Sequence, residues 1–164
     1  PAPGHVVDFL GVPRGKPVMR FVRVEMVAGG PLAVVVNYLG PTLGRRIKVR
    51  ALRRHPMLEL LRDRLRIEFG PMRQTIEARL PDHELASLLE TTLTQPVLLL
   101  RLQVADRSGR PVEISETFYR ADRCRYEADL SGLTPGVAKL GPAAAKPRPA
   151  LGPRRARRNA GARV

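Results

Sequence analysis

The sequence contains few of the residues that build disulfide-rich, aromatic-rich or metal-centred proteins. It has no tryptophan, aromatic residues make up 4% of the chain, and Cys124 is the single cysteine. One cysteine cannot form an internal disulfide, and no group of cysteine and histidine residues has the spacing of metal ligands. We therefore expect a hydrophobic core of leucine, valine, isoleucine and alanine, with no metal and no cofactor.

Long apolar segments are also missing. The run from Pro96 to Leu100 is broken by Arg101, far short of the roughly 18 residues that a membrane-spanning helix needs. The N-terminal residues lack the pattern of an export signal, so we predict a soluble, cytoplasmic protein with no membrane partner. Because the chain begins at Pro1 and not at a methionine, we also expect it to be a fragment or a processed form.

Acidic residues are scarce relative to basic ones, and the excess is uneven. The formal net charge is +14, of which residues 131–164 carry +8, while residues 1–130 have 21 basic and 15 acidic residues, or +6. Residues 131–164 are rich in Pro, Gly, Ala and Arg without a periodic apolar face, so we predict a disordered basic tail after a domain of residues 1–130. This tail fits either a sequence-independent DNA-binding arm or a solvated extension.

Alternating apolar residues and glycine-containing turns predict an antiparallel sheet made largely of β-hairpins. The predicted strands are residues 18–27, 32–39, 71–80, 98–104, 112–119 and, at the sheet edge, 123–130. Apolar residues at helical spacing predict helices over residues 6–10, 52–69 and 81–89. The expected fold class is therefore α+β, an antiparallel sheet with the helices packed on one face.

The segment from Gly109 to Tyr126 has the most closely spaced set of polar side chains. Strand alternation places Glu113, Ser115, Thr117 and Tyr119 on one face of a strand. That face carries a carboxylate, two hydroxyls and a phenol, which together can hydrogen-bond a small polar molecule. We interpret this strand as part of a small-molecule site.

The same segment resembles a known family. A Gly-Arg-Pro-Val-Glu turn at residues 109–113 leads into a strand that closes on Tyr-Arg-Ala-Asp-Arg at residues 119–123. This is similar to the effector-binding (UTRA) domain of GntR-type bacterial regulators of the HutC subfamily, and residues 30–33, 37–39 and 74–78 follow the order of that family. The resemblance covers roughly residues 5–130. It implies a chorismate-lyase-like fold, a small-molecule effector, a homodimer, and DNA binding through a winged-helix domain that is absent from this chain.

The resemblance also implies the residues of the effector site. Arg23 matches the first position of an Arg-x-Arg pair that holds a phosphate or carboxylate, but Glu25 replaces the second arginine and would repel a doubly charged phosphate. Glu113 and Tyr119 match positions that hydrogen-bond the effector. The full predicted ligand-binding set is Arg23, Glu25, Asn37, Arg101, Glu113, Ser115 and Tyr119.

Several of these residues also fit structural roles. Arg23 and Glu25 fit a salt bridge on a solvated sheet, and Tyr119 fits a core aromatic residue. For Glu113 the alternative is a solvent-facing carboxylate. Arg101 either reaches the pocket or pairs with Glu113 or Glu116 across the hairpin, and we favour the pairing. The three histidines, His5, His55 and His83, are scattered and are expected at the surface.

Two functional classes follow from the resemblance. The first is a ligand-sensing domain whose effector modulates DNA binding by linkage. The second is a chorismate-lyase-like enzyme acting on a small carboxylate. The sequence offers no nucleophile and base pair, no metal ligands and no second pocket arginine for a substrate with two carboxylates. We therefore predict a sensor and not an enzyme.

Overall fold

The computed structural model describes residues 2–13, 15–127 and 139–142 of the chain. Five long strands form its main sheet: β1 (Met19–Val27), β2 (Gly30–Leu39), β3 (Phe69–Arg79), β4 (Val97–Asp106) and β5 (Pro111–Arg120). All neighbouring strands are antiparallel, in the spatial order β1-β2-β5-β4-β3. The edges of this sheet are therefore β1 and β3, and β5 lies at its centre.

Turn chemistry explains the two predicted hairpins, both of which are present. Gly29 and Gly30 have φ angles of 94° and 116° at the β1–β2 turn, a region that favours glycine. At the β4–β5 turn, the Asp106 carboxylate accepts hydrogen bonds from the backbone N–H groups of Ser108 and Arg110. A hydrogen bond from the Ser108 hydroxyl is the main cause that lowers the pKa of Asp106 to about 2. An ionised Asp106 therefore holds this turn together.

The helices are short: α1 (Gly4–Leu10), α2 (Pro41–Gly44), α3 (Val49–Leu52), α4 (Met57–Glu59) and α5 (His83–Leu88). A π-helical turn, Leu60–Arg64, continues α4 directly. The helix predicted over residues 52–69 therefore starts later and ends earlier than expected. Pro56 disfavours helical backbone in the residue before it, and Arg66 has a positive φ of 57°, which ends the helical run.

The α+β class with an antiparallel sheet is confirmed, but the helices cover both faces of the sheet and not one. α4 and the π-helical turn place Met57, Leu60 and Leu61 in a core with Phe21 and Leu39. The opposite face is covered by α1 and α5, in a second core that comprises Val6, Val34, Val36, Tyr38, Leu89, Val97 and Ile114. The sequence feature that indicates cover on both faces is the continuous apolar run of β2. A strand that is buried on both faces does not alternate between apolar and polar residues.

The last predicted strand does not lie at the edge of the main sheet. β6 (Cys124–Glu127) instead pairs with β7 (Lys139–Pro142) in a separate two-stranded sheet. β7 belongs to the segment expected to be a disordered tail, and the rest of that segment lies outside the described residues. No helix in the described part of the chain has the length and apolarity to cross a membrane.

The N-terminus of α5 offers a simple stability test. The Asp82 carboxylate accepts a hydrogen bond from the backbone N–H of Leu85 at 2.8 Å, which caps the helix. We expect Asp82→Ala to lower the free energy of unfolding by about 1 kcal/mol, as measured by urea denaturation. Asp82→Asn keeps an oxygen acceptor and should stay close to the wild type. Equal losses in both variants would contradict the capping role.

Candidate functional site

Six of the seven predicted ligand-binding residues lie on one face of three neighbouring strands, which we call the site face. Residues directly opposite each other in antiparallel strands point to the same side of the sheet. The register aligns Glu25 with Ala33 and Tyr119, and Asn37 with Ser115. The site face therefore combines Arg23 and Glu25 from β1, Asn37 from β2, and Glu113, Ser115 and Tyr119 from β5.

Arg101 does not belong to this group. It lies directly opposite Glu116 on β5, so its side chain points to the other face of the sheet. Its Nε donates to Glu116 Oε1 at 3.0 Å and its Nη1 donates to Glu77 Oε1 at 3.1 Å. His5 of α1 contacts the same Glu116 oxygen at 2.8 Å. The cross-hairpin pairing that the sequence favoured is thus what the structure shows, and it holds Arg101 on the face opposite to the other six residues.

A cavity of about 780 Å³ opens above β1, between the site face and residues 49–56. Ligand cavities for small molecules commonly measure about 300–1,000 Å³, so this one is large enough for a metabolite. Arg23, Glu25 and Asn37 line it from the sheet. Glu113, Ser115 and Tyr119 continue the site face next to the cavity without lining it. The structure therefore divides the six residues into three that line the cavity and three that lie beside it.

The charge of the cavity is mainly positive. Arg23 from β1 and Arg53 and Arg54 from the opposite wall line it, and Glu25 is the acidic residue of the lining. Arg20 borders the cavity at the sheet edge but lies opposite Tyr38, so it belongs to the other face of the sheet. Arg23 Nη2 donates to Glu25 Oε1 at 3.0 Å, so the salt bridge considered from the sequence forms within the cavity lining. An anionic group would meet more cationic than anionic side chains here.

Glu113 and Asn37 form a buried polar pair on the site face. The Glu113 side chain is 1% exposed, which excludes the solvent-facing alternative, and Asn37 Nδ2 donates to its Oε1 at 2.6 Å. Glu113 Oε2 is buried without a hydrogen-bond partner among the described residues. Burial raises the pKa of Glu113 to about 7, although Asn37 and the charge of Arg23 oppose the shift. This oxygen needs a donor or a proton near neutral pH.

Hydroxyl groups extend the polar surface along β5. Burial, followed by the nearby charge of Glu25, raises the pKa of Tyr119 to about 12, so its phenol remains protonated and can donate. Ser115 is partly exposed. Thr117, which lies between them on the same face, is buried and was not in the predicted set. Together these groups could bind the hydroxyls of a polar ligand.

Arg53, Arg54 and His55 were not identified as site residues from the sequence. They were assigned to the predicted helix of residues 52–69 or to the surface, whereas the structure places them in the wall of the cavity. The available signal was Pro56, since three basic residues just before a proline lie where a helix cannot continue. No group of three or more His, Cys, Asp or Glu within the described ranges is arranged to hold a metal ion.

This geometry, an antiparallel α+β domain with a polar cavity beside its sheet, is typical of a small-molecule-binding domain. The sequence model of the UTRA domain matches residues 1–125. The chain therefore belongs to the UTRA family, the ligand-binding domains of GntR-family transcriptional regulators.

Relatives and solved structures agree with this assignment. An uncharacterised HTH-type transcriptional regulator of Rhizobium meliloti (strain 1021) is 29% identical over 129 residues, which is 79% of this chain and 53% of the relative. The chain thus spans about half the length of this curated relative. A putative transcriptional regulator from Streptomyces coelicolor is 25% identical, with a TM-score of 0.69 over 90% of this chain and 88% of that one. The effector domain of PhnF from Mycobacterium smegmatis is 27% identical, with a TM-score of 0.62 and coverages of 74% and 75%.

Proposed function

We propose that this chain senses a small polar metabolite with an anionic group, and that the occupied site changes the DNA affinity of a winged-helix domain elsewhere in the same protein. Differential affinity of the ligand for two conformations is sufficient for such coupling. The effector would place its anionic group near Arg23, Arg53 and Arg54. Its hydroxyl groups would reach towards Asn37 and the polar side chains of β5.

One observation carries this proposal: the arginine-lined cavity adjoins a buried pair, Asn37 and Glu113, in which one carboxylate oxygen has no partner within the described residues. Orientation of a small ligand needs a few fixed polar groups beside an open volume. Buried polar atoms are normally satisfied, so an unsatisfied carboxylate oxygen beside a cavity supports a donor that enters from the cavity side. A hydroxyl group of the effector or an ordered water would supply the donor.

We further propose that the protein is a cytoplasmic homodimer, since a DNA-binding regulator acts where the chromosome is. The exposed edge strand β3 supports the dimer. Met72 and Ile76 are 47% and 37% exposed, and they lie opposite Val104 and Leu100 on the same side of the sheet. A second copy that covers this surface would remove apolar area from water.

The second candidate function is catalysis of the chorismate-lyase type. It is favoured by Glu113, because a carboxyl group with a pKa near 7 is suited to general acid–base chemistry. Against it, the relatives are described as transcriptional regulators. We therefore favour binding without conversion, and the fate of the ligand distinguishes the two functions.

A thermal-shift screen of the 164-residue chain tests the proposal. The compounds screened are phosphosugars, sugar acids, amino acids, imidazole acids and chorismate. We expect at least one of them to raise Tm, because a ligand at about 100 times its Kd adds about 2.7 kcal/mol to the free energy of unfolding. Arg53→Gln and Tyr119→Phe should abolish or weaken the shift. Arg73→Gln, an exposed substitution on β3 outside the cavity lining, should leave it unchanged.

The screen also has outcomes that would contradict the proposal. Conversion of the stabilising compound, detected by mass spectrometry, would favour the enzyme. A ligand whose thermal shift persists in Arg53→Gln and Tyr119→Phe would bind elsewhere. Absence of any shift across these classes would remove the support for a metabolite site.

A further inference from the structure

The positive charge of the domain is concentrated in one segment. Residues 41–66 contain nine Lys or Arg and two Asp or Glu, a net charge of +7. The remainder of residues 1–130 contains 12 basic and 13 acidic residues, a net charge of −1. The helical segment that covers the site face therefore carries all of the excess positive charge of the domain.

These cations are exposed, and most have no acidic partner. All nine basic residues of the segment are exposed. Arg62 pairs with Asp63, while none of the other eight forms a salt bridge within the described ranges. A solvated surface usually mixes charges of both signs, and an excess of one sign creates a potential that attracts polyanions.

Part of this surface is concave. A cleft of about 480 Å³ is lined by Lys48, Arg50, Ala51, Arg53, Arg54, His55 and Arg64, with no acidic residue in the lining. Ile47, Leu60 and Leu61 are buried beneath the same segment and anchor it to the sheet. The backbone that carries these cations is thus fixed by the core, so the cleft presents a preformed arrangement of positive charge.

We propose that this basic cleft and the surrounding surface of residues 41–66 bind the phosphate backbone of duplex DNA. The inference rests on the proposed function, in which a DNA-binding domain of the same protein brings DNA close. A single small anion would use only the cleft. Arg45, Arg46 and Arg66 lie outside the cleft lining and extend the positive surface, which fits an extended polyanion better.

Such contacts would strengthen DNA binding without reading base sequence. Each phosphate neutralised by Lys or Arg releases condensed counterions, so the affinity falls steeply with salt. The cleft shares Arg53, Arg54 and His55 with the effector cavity. Substitutions for a clean test must therefore avoid these three residues.

The test compares two charge-matched double variants of the 164-residue chain. Lys48→Gln/Arg64→Gln removes two cations from the basic cleft, and Lys16→Gln/Arg73→Gln removes two exposed cations elsewhere. Affinity for a fluorescently labelled duplex of arbitrary sequence is measured by anisotropy over a series of NaCl concentrations. The tail is present in every protein, so its contribution is constant.

We expect the cleft variant to reduce the slope of log K against log salt by about 2 and to weaken binding about tenfold at low salt. The control variant should keep the wild-type slope. Equal slopes for the cleft variant and the wild type, or equal losses in the two variants, would overturn the proposal. Thermal melts of all three proteins verify that they are folded.

A second arm separates DNA from a small anion and from the proposed function. If inorganic phosphate raises the Tm of the wild type but not of the cleft variant, while the DNA slopes are equal, the cleft is a small-anion site and the proposal is wrong. Lys48 and Arg64 do not line the effector cavity, so the thermal shift with an effector should survive in the cleft variant. The two proposals can also fail separately. If the cleft variant reduces the slope of log K against log salt but no compound in the ligand screen raises Tm, the result supports DNA binding by the basic cleft and contradicts the proposed sensing function.

Discussion

Replacement of Glu113 by glutamine is expected to stabilise the domain above pH 7 and to have little effect at pH 4. Glu113 is buried, and one of its oxygens has no hydrogen-bond partner within the described residues, so its ionised form is costly in the folded state. Burial raises its pKa from 4.5 to about 7. Glutamine has nearly the same shape, retains an acceptor for Asn37 and carries no charge at any pH.

The direction of the pH effect follows from linkage. Between pH 4.5 and about 7 the unfolded chain has released the Glu113 proton, while the folded chain retains it. The folded state thus binds more protons, so the free energy of unfolding falls as the pH rises through this window and levels off above it. A pKa difference of this size corresponds to on the order of 3 kcal/mol. Urea denaturation of the wild type and Glu113→Gln at pH 4, 6 and 8 measures it.

Glu116 provides a matched control on the same strand. It is also buried, but its carboxylate accepts from Arg101 and contacts His5, so its charge is compensated. Glu116→Gln should therefore destabilise the domain at pH 8, because it leaves Arg101 with a weaker partner. If Glu113→Gln also destabilises the domain at pH 8, or if its effect does not vary with pH, then ionisation of Glu113 does not reduce the stability of the folded state.

The site face could be predicted from the sequence because strand alternation has a strict period of two. The positions of Glu113, Ser115 and Tyr119 on one face required only that residues 112–119 form a strand. The turn residues at Gly29 and Gly30 and at Asp106 located the two hairpins for equally local reasons. These inferences did not depend on how distant segments pack.

The position of Arg101 on the face away from the site has a specific cause, a β-bulge between Val104 and Ala105. Ala105 lies opposite Pro111, but beyond the bulge Val104 lies opposite Glu113 and Arg101 opposite Glu116. The bulge thus leaves one residue of β5 without a partner on β4. In a regular register, Arg101 would lie opposite Ser115 and point to the site face. A one-residue change of register turns every side chain to the other face, and no local sequence pattern marks this bulge.

The wall of the cavity could not be predicted for a different reason. Arg53, Arg54 and His55 reach it only because residues 41–66 fold over the site face through the buried residues Ile47, Leu60 and Leu61. From the sequence, Arg53 and Arg54 fell within the predicted helix of residues 52–69, and His55 was expected at the surface. Helix periodicity shows which residues share a side, but the tertiary fold decides whether that side meets solvent or a cavity.

Glu25→Gln is expected to tighten the binding of phosphate compounds by about 30-fold. Glu25 lines the cavity and holds Arg23 through a hydrogen bond of 3.0 Å, so it both repels a phosphate dianion and competes for the same guanidinium. At the dielectric of a partly exposed site, removal of one like charge is worth about 2 kcal/mol, which corresponds to about 30-fold in Kd. Isothermal titration calorimetry with glucose 6-phosphate and with inorganic phosphate, at pH 8 and low salt, measures the Kd of the wild type and of Glu25→Gln.

Arg23→Gln is the opposing control, because it removes the cation of the same salt bridge. It should weaken phosphate binding, and 0.5 M NaCl should reduce both effects, since screening acts more strongly on partly exposed charges. Unchanged phosphate affinity in Glu25→Gln would show that this carboxylate does not act on the ligand.

A ligand with its own ammonium group, such as an α-amino acid, should respond in the opposite direction and lose affinity when Glu25 is neutralised. The sign of the change in affinity in Glu25→Gln therefore identifies the charge that the effector presents to β1. A dianion binds more tightly when this carboxylate is neutralised, whereas the ammonium group of a zwitterion loses its counter-ion and binds more weakly.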